Sequence, residues 1–157
     1  MARTSYAEQV FINCPFDGEY RPMFEAIVFA VHDCGFVARC ALEIEDGSQV
    51  RIEKVQGLIG LCGLGIHDIS RTELDSTWQL PRFNMPLELG LFLGAKRYGT
   101  GHQRKKLCLI LDREPHRYQK YCSDIAGQDI KSHGGDPAAA VRIARDWLRN
   151  ASAGSGW

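Results

Sequence analysis

The stretch QVFINCPFDGEYRPMFEAIVFAVHDCG, residues 9–35, decides the fold class. Its first five residues have an apolar centre, and a loop rich in turn-forming residues follows them. From residue 22 onward apolar side chains recur at helical spacing, and Gly35 ends that pattern. A short apolar strand followed by a helix is the repeating unit of a parallel sheet, so this stretch predicts an α/β domain.

The same alternation continues along the chain. Further strands are predicted over 36–41, 64–69 and 107–111, with helices over 50–62, about 86–98 and 137–149. Residues 112–136 are expected to be mostly irregular, with a short helix near Tyr118 and a weak edge strand. We therefore expect a flavodoxin-like, doubly wound α/β sandwich with a mainly parallel sheet of four to five strands. One domain would span residues 1–150, and the Gly/Ser-rich tail, 151–157, would be disordered.

Composition narrows the class of protein. The chain has 157 residues, 45% of them apolar, with 19 basic and 19 acidic side chains. No stretch approaches the ~20 apolar residues of a membrane span, and the N-terminus does not resemble a signal peptide, so we expect a cytoplasmic protein. The zero net charge gives no field for nucleic acid, and the basic run over 104–106 is interpreted as the solvated start of a strand. The six cysteines form no C-x-x-C pair, which favours reduced core thiols.

One carboxylate stands out in the stretch RFNMPLELGLFLG, residues 82–94. Glu88 is the one polar residue between Leu87 and Ala95. Pro86 suits the first helical position, which would put Glu88 in the first turn of the helix. There it could simply complement the helix dipole, worth about 0.3–1 kcal/mol, or it could be a catalytic carboxylate that the dipole keeps ionised.

In an open α/β sheet the ligand site lies outside the carboxyl ends of the strands. Glu88 opens a helix that follows one of those ends, and Asp68 at the end of the third strand is the second candidate catalytic residue. Other polar or aromatic residues reach the same rim and are candidates for substrate binding: Asn13, Asp17, Ser70, Arg71, Trp78, Arg82, Asn84 and Asp112.

Aromatic and basic side chains suggest how a nucleotide could be held. Trp78, Phe83 or Phe16 could stack on a base, and Arg71 or Arg82 could pair with phosphate, although core aromatics and solvated arginines are common.

The irregular region after the fourth strand also contains polar residues. A metal site built on Asp129 and His133, with Asp124 or Asp136, meets no spacing rule, so we interpret these residues as turn and cap formers and expect no metal. Asp136 and Pro137 are expected to open the last helix, and His133 remains able to reach the ligand site.

Two sets of short motifs resemble known families. The pattern from Ile59-x-x-Cys62 through His67-Asp68-Ile69-Ser70 to Pro86-Leu87-Glu88-Leu89-Gly90 resembles Toll/interleukin-1 receptor (TIR) domains and also nucleoside 2-deoxyribosyltransferases. The first strand, Val10-Phe11-Ile12-Asn13, with Asp17 is similar to the start of TIR proteins. The resemblance covers about residues 9–111. The chain departs from both families, since residues 82–86 replace the Ser-x-Trp-Cys box of TIR domains and the Gly-Thr that precedes the transferase glutamate is missing.

Both resemblances imply cleavage of an N-glycosidic bond. The TIR resemblance implies that Glu88 carries NAD cleavage, and the transferase resemblance implies that Glu88 is a nucleophile and Asp68 handles the base. Nicotinamide leaves from a cationic ring nitrogen and needs no acid, whereas a neutral nucleobase must be protonated as it departs. We expect NAD or a related nucleotide as substrate, with no cofactor, and the resemblance implies a role in prokaryotic antiviral defence or signalling. A noncatalytic TIR-like module that binds a nucleotide or a partner domain remains open.

Two predicted helices are apolar on nearly every face. Between residues 23 and 31 only Glu25 is polar, and residues 89–95 carry no polar side chain. A helix on a sheet needs an apolar stripe only about 100° wide, so we expect a homo-oligomer, which TIR domains commonly form. Gly90 and Gly94 are expected to allow close packing of their helix on the sheet.

Overall fold

A computed structural model describes residues 5–43 and 47–154. Five parallel strands form one sheet in the order β2-β1-β3-β4-β5. They are β1 Gln9–Asn13, β2 Val37–Arg39, β3 Leu64–Asp68, β4 Leu107–Asp112 and β5 Ile130–Ser132. This strand order is that of the flavodoxin-like doubly wound fold, so the predicted fold class is confirmed.

Four α-helices cover the two faces of the sheet. They are α1 Arg21–Asp33, α2 Arg51–Leu61, α3 Asn84–Tyr98 and α4 Pro137–Gly154. Val10 and Ile12 of β1 pack with α1 and α4, whereas Phe11 packs with α2 and α3. Because successive side chains of a strand point to opposite faces of the sheet, each side chain of β1 packs in one of the two helical layers. Among the described helices none is long and apolar enough to cross a membrane.

The last helix extends further than the sequence predicted. Leu148 and Ala151 are buried in the layer formed with α1, and the helix continues through Gly154. The prediction of a disordered tail from residue 151 is therefore wrong for residues 151–154, because apolar contacts favour helix beyond residue 149. Residues 155–157 of that tail lie outside the described residues.

The apolar excess of α1 is largely covered within the chain. Ile27, Ala30 and Val31 are fully buried against the sheet and α4, and Phe29 remains exposed. In α3 the expected close packing of the two glycines is wrong. A β-carbon at Gly90 or Gly94 would meet no described atom within 4 Å.

Lys106 is buried, which corrects the prediction of a solvated basic run. Its Nζ donates a hydrogen bond to the carbonyl of Ile59 at 2.6 Å and a second to the carbonyl of Cys62. The ammonium lies 4.6 Å from the centre of the Phe92 ring. Burial lowers the pKa of Lys106 to about 8. The lysine closes the C-terminal end of α2, whose last carbonyls have no partner inside the helix.

Candidate functional site

Polar residues end three neighbouring strands at the carboxyl edge of the sheet. Asn13, Asp68 and Asp112 are the last residues of β1, β3 and β4, and all three are buried. The loops that follow these strands carry most of the other predicted site residues. The predicted residues fall into three groups. One is a carboxylate that could react, others are buried and bonded to the rest of the protein, and the last are exposed on a loop.

Glu88 is a half-buried carboxylate near the start of α3. The helix begins at Asn84, before Pro86, so Glu88 lies in the second turn. The helix dipole acts mainly within the first turn, and it is therefore not the dominant influence on this side chain. Burial raises the pKa of Glu88, and Arg51 acts in the opposite direction. No hydrogen bond or ion pair joins Glu88 to another residue within 5–43 or 47–154.

Arg51 is a site residue that the sequence analysis missed. It is the first residue of α2, its side chain is exposed, and its charge reaches Glu88 because α2 and α3 pack side by side. The sequence around an arginine at a helix start does not indicate which distant carboxylate its charge will affect. Only the packing of the two helices brings this guanidinium to the candidate carboxylate.

Asp68 is fully buried and has several partners. It accepts hydrogen bonds from the Tyr20 hydroxyl and from the Ser70 backbone N–H, the latter at 2.8 Å. Nε2 of His133 lies 3.0 Å from its Oδ2, and the Gly135 N–H donates to Nδ1 of His133 at 2.9 Å. Because Nδ1 accepts that bond, the ring proton is on Nε2 and faces the carboxylate.

These partners decide the charge of Asp68. Burial alone would raise the pKa of the Asp68 carboxyl, but His133, Ser70 and Tyr20 outweigh it and lower the pKa. The expectation that His133 can reach this edge agrees with its contact to Asp68. An ionised carboxylate whose oxygens are already bonded is a poor proton donor.

The sheet separates Asp68 from Glu88. His67 contacts Phe11 and Phe92 on the face covered by α2 and α3, and the next residue, Asp68, contacts Tyr20 on the opposite face. Glu88 belongs to α3. The interpretation of Asp68 as a second acid beside Glu88 stays a prediction, and the contacts of its carboxylate lie on the face opposite to α3.

The side-chain amide nitrogen of Asn13 makes two contacts within the protein. Its Nδ2 donates to the Met85 carbonyl at 2.8 Å and lies 3.0 Å from Nδ1 of His67. Asn13 is 2% exposed and His67 is fully buried. Burial and the charge of Lys106 lower the pKa of His67 to about 3, so the ring is neutral.

Asp17 and Arg71 take part in an ion-pair network at the surface, and each also lines a cavity. Asp17 accepts a hydrogen bond from the Tyr20 N–H at 3.1 Å. Arg71 lies 3.0 Å from Glu19 and 3.5 Å from both Asp17 and Glu73. Its charge is thus shared among three carboxylates, which leaves little for a phosphate.

Asp112 and Ser70 are joined through Arg117, a second residue that the sequence analysis missed. The guanidinium donates to Asp112 at 2.7 and 3.0 Å, to Oγ1 of Thr72 at 2.8 Å and to the Ser70 carbonyl. Asp112 is fully buried. Arg117 therefore fixes the start of the long loop between β3 and α3.

The remaining predicted residues lie on that loop, at 71–83, or at its end. The side chains of Trp78, Arg82 and Asn84 are exposed, Trp78 at 77%. Within the described residues no contact joins Trp78 or Arg82 to Glu88. Their predicted binding roles stay predictions.

A cavity beside the β1–α1 loop offers an aromatic wall. It has a volume of about 390 Å³ and is lined by Phe16, Asp17, Gly18, Arg21, Phe24, Glu25 and Leu42. Phe16 and Phe24 pack edge to face, with ring centres 5.4 Å apart. Phe16 and Asp17 follow the end of β1, so the cavity opens at the carboxyl edge of the sheet, the edge at which α3 also begins.

Comparison with known proteins identifies no family for this chain. No protein-family model matches the chain, and no curated protein matches it significantly. Among solved structures, a diflavin flavoprotein from Nostoc sp. is similar, with 15% sequence identity and a TM-score of 0.48 over 98% of each chain. A likeness at this level concerns the fold alone.

Proposed function

We propose that this protein cleaves the N-glycosidic bond of NAD or a related nucleotide, with Glu88 as the carboxylate that faces the anomeric carbon. One observation carries the proposal. Glu88 is half-buried at the ligand-binding edge of the sheet and has no protein partner among the described residues. A carboxylate held there without a partner can interact with a positive charge that develops on the substrate.

The contacts of Asp68 favour NAD over a neutral nucleoside. A nucleoside would need a proton donor at its base, and the residue expected to supply it is ionised, bonded and on the other face of the sheet. Nicotinamide carries its own positive charge and leaves as a neutral molecule. A site with one free carboxylate is sufficient for that reaction.

The proposed reaction balances without a cofactor. The bond between the ribose anomeric carbon and the ring nitrogen breaks, and its electron pair neutralises the nicotinamide nitrogen. Ionised Glu88 stabilises the oxocarbenium-like transition state. Water then adds to the anomeric carbon and loses a proton, which yields ADP-ribose and nicotinamide.

Two surfaces at the carboxyl edge of the sheet suit the rest of a dinucleotide. The cavity beside Phe16 and Phe24 has room and an aromatic wall for a base. Arg51, exposed at the start of α2, is available to a pyrophosphate. Arg71, which pairs with three carboxylates, is less suited to that task.

The charges at the corresponding position disfavour the phosphate of a flavin nucleotide. In this fold FMN binds at the point where the strand order reverses, and phosphates favour the N-terminus of a helix there. In this chain the carboxylate of Asp17 already accepts the Tyr20 N–H at the start of α1, and Glu19 lies beside it. We therefore propose no flavin chemistry, and NAD enters as substrate.

A second candidate function is a noncatalytic binding module. Exposed apolar side chains favour it, namely Leu74, Trp78, Leu80, Phe83 and Leu87, all on the loop before α3 or at its start. The resemblance to TIR domains supports either candidate in a cytoplasmic antiviral or signalling role.

The test is chromatographic detection of released base. Purified protein at high concentration is incubated with NAD and, separately, with a panel of nucleosides. The proposal expects nicotinamide release by the wild type and its loss in Glu88→Gln, with Glu53→Gln on exposed α2 surface as the matched control. Base release from nucleosides alone would favour the transferase-like reaction. Absence of release from any substrate would favour the binding module.

A further inference from the structure

Asn13 and His67 form a buried pair beneath the start of α3. β1 and β3 are adjacent strands, and their register sets Asn13 beside His67. Asn13 is 2% exposed and His67 is 0% exposed. Their mutual contact, and the bond from Asn13 to Met85, therefore lie inside the protein.

The pair fixes the orientation of the Asn13 amide. Its Nδ2 faces two acceptors, the Met85 carbonyl at 2.8 Å and Nδ1 of the neutral His67 ring at 3.0 Å. Because Nδ2 is the donor to Met85, its second contact requires the His67 tautomer that accepts at Nδ1, with the ring proton on Nε2, a buried atom that has no hydrogen-bond partner among the described residues. An oxygen at the same place would face two lone pairs, and buried polar atoms without partners are costly.

The histidine ring is itself held in place by packing. The rings of His67 and Phe92 meet edge to face with centres 4.8 Å apart. Gly65 leaves the space that they occupy, since a β-carbon there would lie 2.8 Å from both Nε2 of His67 and the Phe92 ring. The partner of Asn13 is thus a rigid group.

The bond to Met85 reaches the beginning of the helix that carries Glu88. Met85 is in the first turn of α3, three residues before Glu88, and its side chain is buried with Ile69 and Leu89. The helix has no side-chain cap at Phe83. The hydrogen bond from Asn13 is accordingly a direct link between the end of β1 and this turn.

We propose that Asn13, oriented by His67, is a positioning residue that sets the location of Glu88 by holding the first turn of α3 against β1. The inference rests on the proposed function only for the chemical role of Glu88. The link between Asn13 and the helix is a property of the fold and has its own readout.

The experiment compares Asn13→Asp and Asn13→Ala with the wild type and with Asn150→Ala, an exposed asparagine on α4. The aspartate keeps the shape but replaces the donor with an acceptor. The first readout is the pKa of Glu88, followed by NMR of labelled glutamate with the signal assigned from Glu88→Gln. The second is kcat and KM for NAD, measured well below the melting temperature of each variant.

The proposal expects both Asn13 variants to shift the titration of Glu88, while Asn150→Ala leaves it in place. It also expects kcat to fall by roughly 10- to 100-fold with little change in KM, because small displacements of a reacting group impair the chemical step more than binding. If Asn13→Ala does not fold, His67→Phe provides the same test through loss of the orienting ring nitrogen.

Each result either supports or overturns the positioning role of Asn13. An unchanged Glu88 titration in a folded Asn13 variant overturns the proposal, and so does a shifted titration with unchanged kcat. If the wild type cleaves no NAD, the proposed function fails, and the titration alone then decides whether Asn13 sets the place of Glu88.

Discussion

Glu88 and Asp68, two carboxylates at the carboxyl edge of the sheet, have pKa values shifted in opposite directions. Burial raises the pKa of Glu88, which has only the distant help of Arg51. Asp68 is more deeply buried, yet contacts with His133, Ser70 and Tyr20 lower its pKa. The difference comes from partners and not from residue type. In the proposed mechanism Glu88 is the carboxylate that faces the substrate, whereas the oxygens of Asp68 are already bonded within the protein.

Loss of the Glu88 charge should abolish base release. The change Glu88→Gln keeps the size of the side chain and removes the charge that stabilises an oxocarbenium ion, so the rate should fall by roughly 10²-fold or more. Nicotinamide release at saturating NAD measures this, with Glu53→Gln as control. A residual rate above about a tenth of the wild type would contradict the mechanism.

The pH dependence of that activity should follow Glu88. Its ionised form is required, so activity should fall as the pH drops through its raised pKa, above the 4.5 of an ordinary glutamate. Because Arg51 lowers this pKa, Arg51→Met should move the acidic limb of kcat to higher pH. Arg97→Met, at the far end of α3, is the control. An acidic limb that is the same in all three proteins would show that Glu88 does not control it.

Asp68→Asn should destabilise the fold more than it affects NAD cleavage. The amide replaces a buried charged acceptor of several hydrogen bonds, a loss of about 1–3 kcal/mol, which urea unfolding measures. The pKa of Asp68 is lowered in the folded protein, so its contribution is present at neutral pH and is lost as the pH falls through the folded-state pKa. The stability difference from wild type should therefore shrink in acid. Loss of NAD cleavage by folded Asp68→Asn as complete as in Glu88→Gln would remove the reason for preferring NAD.

At the scale of helices and strands, the loop between β3 and α3 depends on a contact between distant parts of the chain. Arg117, which follows β4, bridges Asp112, Thr72 and the Ser70 carbonyl. A nearby ion pair, between Arg113 and Glu73 at 2.8 Å, links the same two regions on the surface. The two arginines join the same regions but differ in burial and in the number of their hydrogen bonds, so their substitution compares a buried link with a surface one.

Arg117→Met should loosen this loop, whereas Arg113→Met should not. Loss of Arg117 leaves the fully buried Asp112 charge without its ion-pair partner, at a cost of about 3–5 kcal/mol. The Arg113 pair is half-exposed and should be worth at most about 1 kcal/mol. Hydrogen exchange of residues 70–73, together with urea unfolding, measures both. Equal effects of the two substitutions would show that burial is not what distinguishes them.

Local patterns predicted the elements better than their ends and contacts. β1 and β4 were found from apolar runs, and the N-terminal cap of α4 from Asp136, whose carboxylate accepts the N–H groups of Ala138 and Ala139. The start of α3 was misplaced because proline suits the first helical position, whereas here Pro86 is in the interior of the first turn.

The candidate site was only partly predictable for a different reason. Glu88 was found because a lone carboxylate in an apolar run is visible locally. The roles of Asn13, Arg51 and Arg117 depend on contacts between elements far apart in sequence, which no local pattern carries. Lys106 reads as one of three solvated bases until the end of α2 is seen against it.

At the scale of the whole molecule, several apolar side chains remain exposed in the segment that leads into α3. Trp78, Leu80 and Phe83 lie on the loop before α3, and Leu87 lies on the helix itself. Gly90 lies on the same helix, and a β-carbon added there would have no neighbour within 4 Å. Exposed apolar groups gathered around a candidate site are typical of surfaces that bind another protein or a ligand.

We predict that this surface mediates self-association. Sedimentation across a range of concentrations, with and without NAD, should detect a dimer or larger species. Leu87→Glu should weaken it, because a charge in an apolar contact loses its hydration, whereas Leu61→Glu, equally exposed at the end of α2, should not. A wild-type protein that is monomeric under both conditions, with base release linear in enzyme concentration, would contradict the prediction. One chain would then hold the whole site, and the exposed residues of the loop would be left to contact the substrate.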